Sequence, residues 1–223
     1  MSEYVSGRVI YENPLRCESD IEGFVREGDL KVSFENGCMQ LESVRDPNEG
    51  QAANYLFWCP EVFPDHIKIE WKFHPLNEPG LAMMFFSALS KNGKSIFEPG
   101  LAERRGEYPQ YNHGDINTYH LAYFRRRMAD ERLFHTCNLR KSYGAHLVAQ
   151  GGDPIPEAIE AKVFYDLCIV KDGPDITFYI NDLKVLSYHD DGEFGPHLGE
   201  GYIGFRQMSP LKAEYKDFRV TRL

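Results

Sequence analysis

Residues 104 to 146 concentrate the side chains that can do chemistry. They hold Arg104, Arg105, Arg125, Arg126, Arg127, Arg132, Arg140 and Lys141 against Glu107, Asp115, Asp130 and Glu131, a local excess of +4 in a chain whose formal net charge is −9. Four of the eight histidines, His113, His120, His135 and His146, fall in the same stretch, interleaved with Tyr111, Tyr119, Tyr123 and Tyr143. Guanidinium forks pair bidentately with carboxylates, and tyrosines stack on and hydrogen-bond to hydroxylated rings. This donor set suits an anionic sugar, a uronic acid oligosaccharide above all. The competing explanation is that these arginines only neutralise the acidic remainder through solvated surface pairs, as most surface charges do.

Strand parity limits which of them can act together. If residues 117 to 126 form one strand, Asn117, Tyr119, Tyr123 and Arg125 share one face while Thr118, His120, Phe124 and Arg126 share the other. Over 136 to 140, Thr136, Asn138 and Arg140 are the polar set, with Cys137 and Leu139 directed to a core. Two registers are therefore open, one presenting His120, Arg126, Asn138 and Arg140, the other Tyr119, Tyr123 and Arg125. β-Elimination at a uronate needs a group to neutralise the carboxylate, a base for the C5 proton and an acid for the leaving oxygen. Arg140 with Asn138 fits the first task, His120 the second, and Tyr111 or Tyr123 the third. Trp58 is either a sugar-stacking platform or, beside Leu56 and Phe57, core. His189, Asp190 and Asp191 form either an oxygen-rich cation loop or a plain turn. No motif requires a cofactor, and a metal is not expected. Gly93-Lys94-Ser95 imitates the end of a phosphate-binding loop, but Ala88 stands where that motif needs glycine, so the segment reads as a turn.

The elements that must position these groups are strands. Ile67, Ile69, Trp71 and Phe73 alternate with Lys68, Glu70, Lys72 and His74, one face buried and one wet. Lys31 to Phe34 and Met39 to Ser43 flank Asn36-Gly37, a tight-hairpin signal. LAMMFFSAL at 81 to 89 is a strand covered on both faces. Residues 165 to 188 read as a meander with turns at Asp172-Gly173 and Asn181-Asp182, and Gly201 to Arg206 and Tyr215 to Val220 supply the last strands. Helix is confined to a turn or two in Ala129 to Phe134 and another near Pro156 to Ala161.

Composition agrees with one all-β domain over residues 1–223: hydrophobic residues are 42 %, aromatics 13 % and charged residues 26 %, and sandwiches of this size commonly share one core. The acidic balance argues against nucleic acid and anionic membrane surfaces as partners. No apolar run approaches the roughly 20 residues that span a bilayer, and MSEYVSGRVIYENP lacks the basic and apolar regions of a secretory leader. Cys17, Cys38, Cys59, Cys137 and Cys168 are odd in number and form no CxxC, which points to a reducing cytoplasm.

The last third, YDLCIVKDGPDITFYINDLKVLSY followed by GYIGFRQMSPLKAEYKDFRV, resembles the concanavalin A-like lectin and glucanase superfamily. A closer resemblance runs through FWCPEVFPD (57–65), PGLAMMFF (79–86), GDINTYHLAYFRR (114–126), TCNLRKSYGAHLVAQGGDPIP (136–156) and GYIGFRQMSP (201–210), and it is to the YesU family of bacterial proteins. The resemblance implies an antiparallel two-sheet jelly-roll sandwich, galectin-like, of about 12 to 15 strands, with a concave groove on one sheet and a context of pectin and rhamnogalacturonan degradation. The Glu-x-Asp-x-Glu strand of retaining glucanases is absent, and FHPLNEPG at 73–80 keeps none of the galectin His-x-Asn-Pro-Arg order. Three functions follow as expectations: a lyase or glycosidase, a carbohydrate-binding module, or an interaction protein whose groove is closed by a partner or by its own loops.

Overall fold

A computed structural model describes residues 7–223; the reading of the amino terminus rests partly on residues 1–6, which lie outside them. The strands in chain order are β1 (Arg8–Asn13), β2 (Val25–Glu27), β3 (Leu30–Glu35), β4 (Cys38–Ser43), β5 (Tyr55–Phe63), β6 (Ile67–Pro75), β7 (Leu81–Ser90), β8 (Ile116–Tyr123), β9 (Thr136–Lys141), β10 (His146–Gly152), β11 (Tyr165–Asp172), β12 (Asp175–Ile180), β13 (Leu183–His189), β14 (Gly201–Met208) and β15 (Ala213–Arg222). Two short α-helices, α1 (Pro109–Asn112) and α2 (Ala129–Leu133), lie in loops, as do 3-10 turns at Glu18–Ile21 and Pro47–Ala53; of these only α2 was expected from the sequence. The second expected helical site, near Pro156 to Ala161, is a single turn closed by Glu160 N–H and Ala161 N–H donating to Glu157 O.

All pairings are antiparallel. The first sheet runs β13-β12-β11-β6-β15-β4-β3, with β1 also on β15, and the second runs β10-β9-β8-β7-β14-β5-β2. The Asn36-Gly37 hairpin forms as its chemistry requires, both residues taking positive φ (52° and 72°) and setting Glu35 against Cys38. β6 buries Ile67, Ile69, Trp71 and Phe73 and leaves the intervening residues half-exposed. These side chains meet Tyr119, Leu121 and Tyr123 of β8 and Phe178 of β12 in the layer between the sheets. Trp71 stacks on Phe178 at 6.4 Å and donates its indole N–H to the Tyr123 hydroxyl at 3.1 Å.

β7 is buried on both faces for a reason alternation alone cannot supply. One face joins the inter-sheet core; the other carries Leu81, Met83 and Phe85, which pack with Ile96 and Tyr111 of the segment 91–115 folded over the second sheet. That segment covers part of the outer, concave side with the protein's own residues. The described residues contain no helix long and apolar enough to cross a membrane.

The acidic loop after β13 is tied down internally. Asp190 accepts from the Lys141 ammonium at 2.7 Å and from the Tyr119 hydroxyl, with both charged side chains buried, while His189 pairs with Asp175 at 2.8 Å. The carboxylate that a cation would need is thus held by an ammonium and a phenol, and among the described residues no cluster of His, Cys, Asp and Glu is arranged for a metal. Breaking a buried pair strands one charge. Lys141→Met is therefore expected to destabilise the fold by about 3–5 kcal/mol in urea denaturation; a loss below about 1 kcal/mol would show that Asp190 finds other partners.

Candidate functional site

The sidedness of β8 is settled by its neighbours. Residues opposite each other in a ladder share a face, and His120 pairs with Arg140 on one side and Phe85 on the other, while Ala122 pairs with Asn138 and Met83. One cross-sheet row reads Gln150, Asn138, Ala122, Met83, Arg206, and the adjacent one Leu147, Arg140, His120, Phe85, Gly204. Asn138, Ala122 and Met83 are buried but not sealed, each keeping 3–7 % exposure. They form the floor of the outer face beside the half-exposed Arg125, Arg140 and Tyr108.

The structure divides the residues singled out in the sequence. Tyr119 and Tyr123 lie between the sheets, fully buried, the first donating to Asp190 and the second accepting from Trp71. Neither reaches the outer face, because odd positions of β8 point inward. Past Tyr123 the alternation breaks: Phe124 takes a left-handed backbone (φ 47°) and joins the core beside Tyr123. Arg125 and Arg126 consequently exchange the sides that parity assigned them. Arg125 comes to the Asn138 side, donating to Thr136 Oγ1 at 2.6 Å and Glu131 Oε1 at 2.7 Å. Arg126 is driven inside, where it meets Asp153 at 3.0 Å and donates to Ile155 O at 2.8 Å. Neither open register was right as a whole: the face combines His120, Asn138 and Arg140 from one with Arg125 from the other.

Tyr111 is sealed beneath the 91–115 segment, its hydroxyl accepting from Gly106 N–H at 3.0 Å. Trp58 is core of the outer layer, edge-on to Phe85 at 6.0 Å, so it offers no stacking platform. His146 pairs with Lys141, whose side chain points inward, and its ring stacks on Phe194 at 4.1 Å, away from Arg140. The Asn138 amide is best satisfied with its oxygen accepting from Arg125 Nη1 at 3.1 Å and its nitrogen donating to Cys137 O at 3.0 Å. Arg140 donates to Ala145 O at 2.6 Å and has no carboxylate partner among the described residues.

His120 is engaged at both nitrogens. Ser142 Oγ donates to Tyr111 O, so its hydroxyl proton is committed, which leaves Nε2–H of His120 as the donor toward Ser142 Oγ at 3.3 Å. Nδ1 then accepts from the Tyr108 hydroxyl at 3.0 Å. Burial, then the Arg140 and Arg206 charges, pull the imidazole down to about 3. A neutral ring of such low basicity, its lone pair already taken, is not poised to remove a C5 proton. With Tyr123 in the core and Tyr111 sealed, the base and acid of the elimination scheme are not assembled.

Tyr108 and Arg206 were not picked out from the sequence as site residues. The Tyr108 hydroxyl experiences Arg140, Arg206 and Arg125 together, three charges that offset part of the upward push of burial on its phenol. Their convergence depends on β8, β9, β14 and the 91–115 segment meeting, and no local spacing announces it. A 370 Å³ depression lined by Glu103, Arg104, Gln110, His113 and Asp115 lies within the 91–115 segment itself, away from Asn138.

The family model described as Domain of unknown function (DUF1961) matches residues 8–220. The chain belongs to this family. It is 47 % identical over 218 residues, 97 % of either chain, to Uncharacterized protein YesU of Bacillus subtilis (strain 168), in agreement with the resemblance seen in its motifs. The crystal structure of a protein of unknown function with galectin-like fold from Bacillus subtilis superposes with a TM-score of 0.94 at 47 % identity, covering 98 % of both chains. The fold is accordingly a galectin-like antiparallel sandwich. The carbohydrate binding module CBM66 from Bacillus subtilis shares that fold at 14 % identity, TM-score 0.55, over 90 % of this chain and 96 % of its own.

The depressed His120 pKa makes a linkage prediction. Between pH 6.5 and about 3 the unfolded chain binds a proton at this position that the folded chain does not, so stability falls as pH drops through that window. The slope from this group approaches about 1.4 kcal/mol per pH unit. Replacing His120 by Asn is expected to flatten the acid limb of denaturation midpoints, and an NMR titration is expected to show the wild-type ring neutral at pH 5. A ring that protonates near pH 6.5 would refute the assignment.

Proposed function

We propose that the outer face of the second sheet binds a uronate-containing oligosaccharide, with binding rather than turnover as its function. The observation that carries this reading is the placement together of Arg140 opposite His120, Arg125 against Asn138 and Arg206 against the Tyr108 ring, where Arg140 and Arg206 have no carboxylate partner among the described residues. Half-exposed guanidinium beside amide groups is the arrangement that meets a sugar carboxylate with charge-assisted bonds and its hydroxyls with neutral ones. Arg140 would hold the carboxylate, and Asn138 and Gln150 the ring hydroxyls over the small Ala122. The likeness in fold to a carbohydrate binding module supports the general class. Oligomers of the pectin or rhamnogalacturonan type supply the charge, and a cytoplasmic site of action on imported oligomers agrees with the five unpaired cysteines.

Calorimetry with trigalacturonate tests the reading. Arg140→Ala is expected to weaken binding about 10- to 100-fold, the loss of a charged hydrogen bond, with an unchanged melting temperature. No new unsaturated-uronate absorbance is expected on incubation with polygalacturonate or rhamnogalacturonan fragments. Absence of any binding, or an Arg140→Ala variant that binds as well as wild type, would sink the proposal, and appearance of unsaturated ends would replace binding by lysis.

A further inference from the structure

Under the outer face lies a fully buried charge that no carboxylate among the described residues balances. Arg206 stands on β14 between Met83 of β7 and Leu56 of β5, with no solvent exposure. Its Nη2 donates to Gly106 O at 2.8 Å, while Nε and Nη1 find no hydrogen-bond partner. Two other buried arginines are treated differently. Arg104 has Glu27 at 2.7 Å and Arg126 has Asp153 at 3.0 Å, whereas Arg206 has no carboxylate within ion-pair distance among the described residues. Only the rings of Tyr108 and Tyr111, 5.4 and 5.9 Å away, face its guanidinium.

A guanidinium stays charged in a protein, and burying it without a counter-charge is unfavourable. Cation–π contact offsets part of that penalty. The place where the charge is kept matters: Arg206, Met83, Ala122 and Asn138 form one row, so at about 4.8 Å per strand Arg206 lies roughly 10 Å from Ala122. Its charge acts on both His120 and Tyr108, the two groups walling that floor. Being enclosed, it is screened far less by salt than the half-exposed Arg140 and Arg125.

We propose that Arg206 is the specificity-determining charge of this face, a buried cation without a carboxylate partner among the described residues, so that the face around Ala122 selects an acidic sugar over its uncharged counterpart. The inference rests on the binding reading above and names what enforces its anion preference. Arg206 touches no ligand in this scheme; it acts by potential through Tyr108 and the floor.

The test compares trigalacturonate with its fully methyl-esterified form, which removes the charge and keeps the stereochemistry. Wild type is expected to prefer the acid. Arg206→Gln is expected to reduce that preference about tenfold while leaving affinity for the ester within about twofold, and Arg206→Lys, which keeps the charge, to retain it. Equal losses for acid and ester would reduce Arg206 to a structural part, and an unchanged preference would remove it from recognition; either overturns the inference while the binding reading survives. Should the glutamine variant fail to fold, a wild-type salt series decides: preference persisting at about 0.5 M salt supports an enclosed source, and preference vanishing there overturns it. A wild type that binds neither form overturns the binding reading itself.

Discussion

Each sheet must bury one side against the other, and this leaves only alternate residues of a strand for chemistry. The contact that enforces the rule on the functional half of the molecule is the aromatic layer of Trp71, Tyr123, Phe178 and Phe73, with the Trp71 indole donating to the Tyr123 hydroxyl. Because Tyr123 is pinned inward by that bond, His120 and Ala122 must point outward. The facing residues of β9 follow, and Asn138 and Arg140 are brought beside them. The same layer fills its end with Phe124 as well, and the backbone reversal this requires is what turns Arg125 out and Arg126 in.

The outer side is a compromise between closure and access. The segment 91–115 closes a second apolar layer over Trp58 and Phe85, with its own Tyr111 inside that layer, so part of the outer side is occupied by the chain itself. Beside that layer the side chains of Arg140 on β9 and of Arg125 are half-exposed. The same segment supplies Tyr108, whose hydroxyl occupies the lone pair of His120. Residues that in composition resemble acid–base machinery are in geometry a neutral imidazole hydrogen-bonded to Tyr108 and Ser142 beside positive charge.

Charge placement follows one logic inside the fold and another on this face. Lys141, Arg104 and Arg126 each have a buried carboxylate, and these pairs hold loops against the sandwich. Arg206 and Arg140 have none among the described residues. Interior pairing with an unpaired remainder in and beneath the outer face is how a chain of net charge −9 can present a local surface attractive to anions, since short-range potential depends on nearby groups more than on the total.

Much of the scaffold was legible in the residues. Alternation in 67–74, the Asn36-Gly37 turn, the unbroken apolar run at 81–89 and the terminal meander are local signals, and each became the expected strand or hairpin because burial of one face and φ > 0 at a turn are decided within a few residues. The concentration of arginine, histidine and tyrosine over 104–146 was equally visible. Its sorting was not. Parity alone left two registers for 117–126, and a left-handed residue at Phe124 produced a third arrangement that no periodic pattern contains. Trp58 and Tyr111 carried sugar-binding chemistry by type but were sealed by a loop distant in sequence from Trp58. Tyr108 and Arg206 acquired their place only where three strands and a loop converge. Residue type and alternation determined the strands and the available functional groups; tertiary packing decided which face each group occupies and which charges remain without a partner, because burial and ion pairing are set by neighbours distant in sequence.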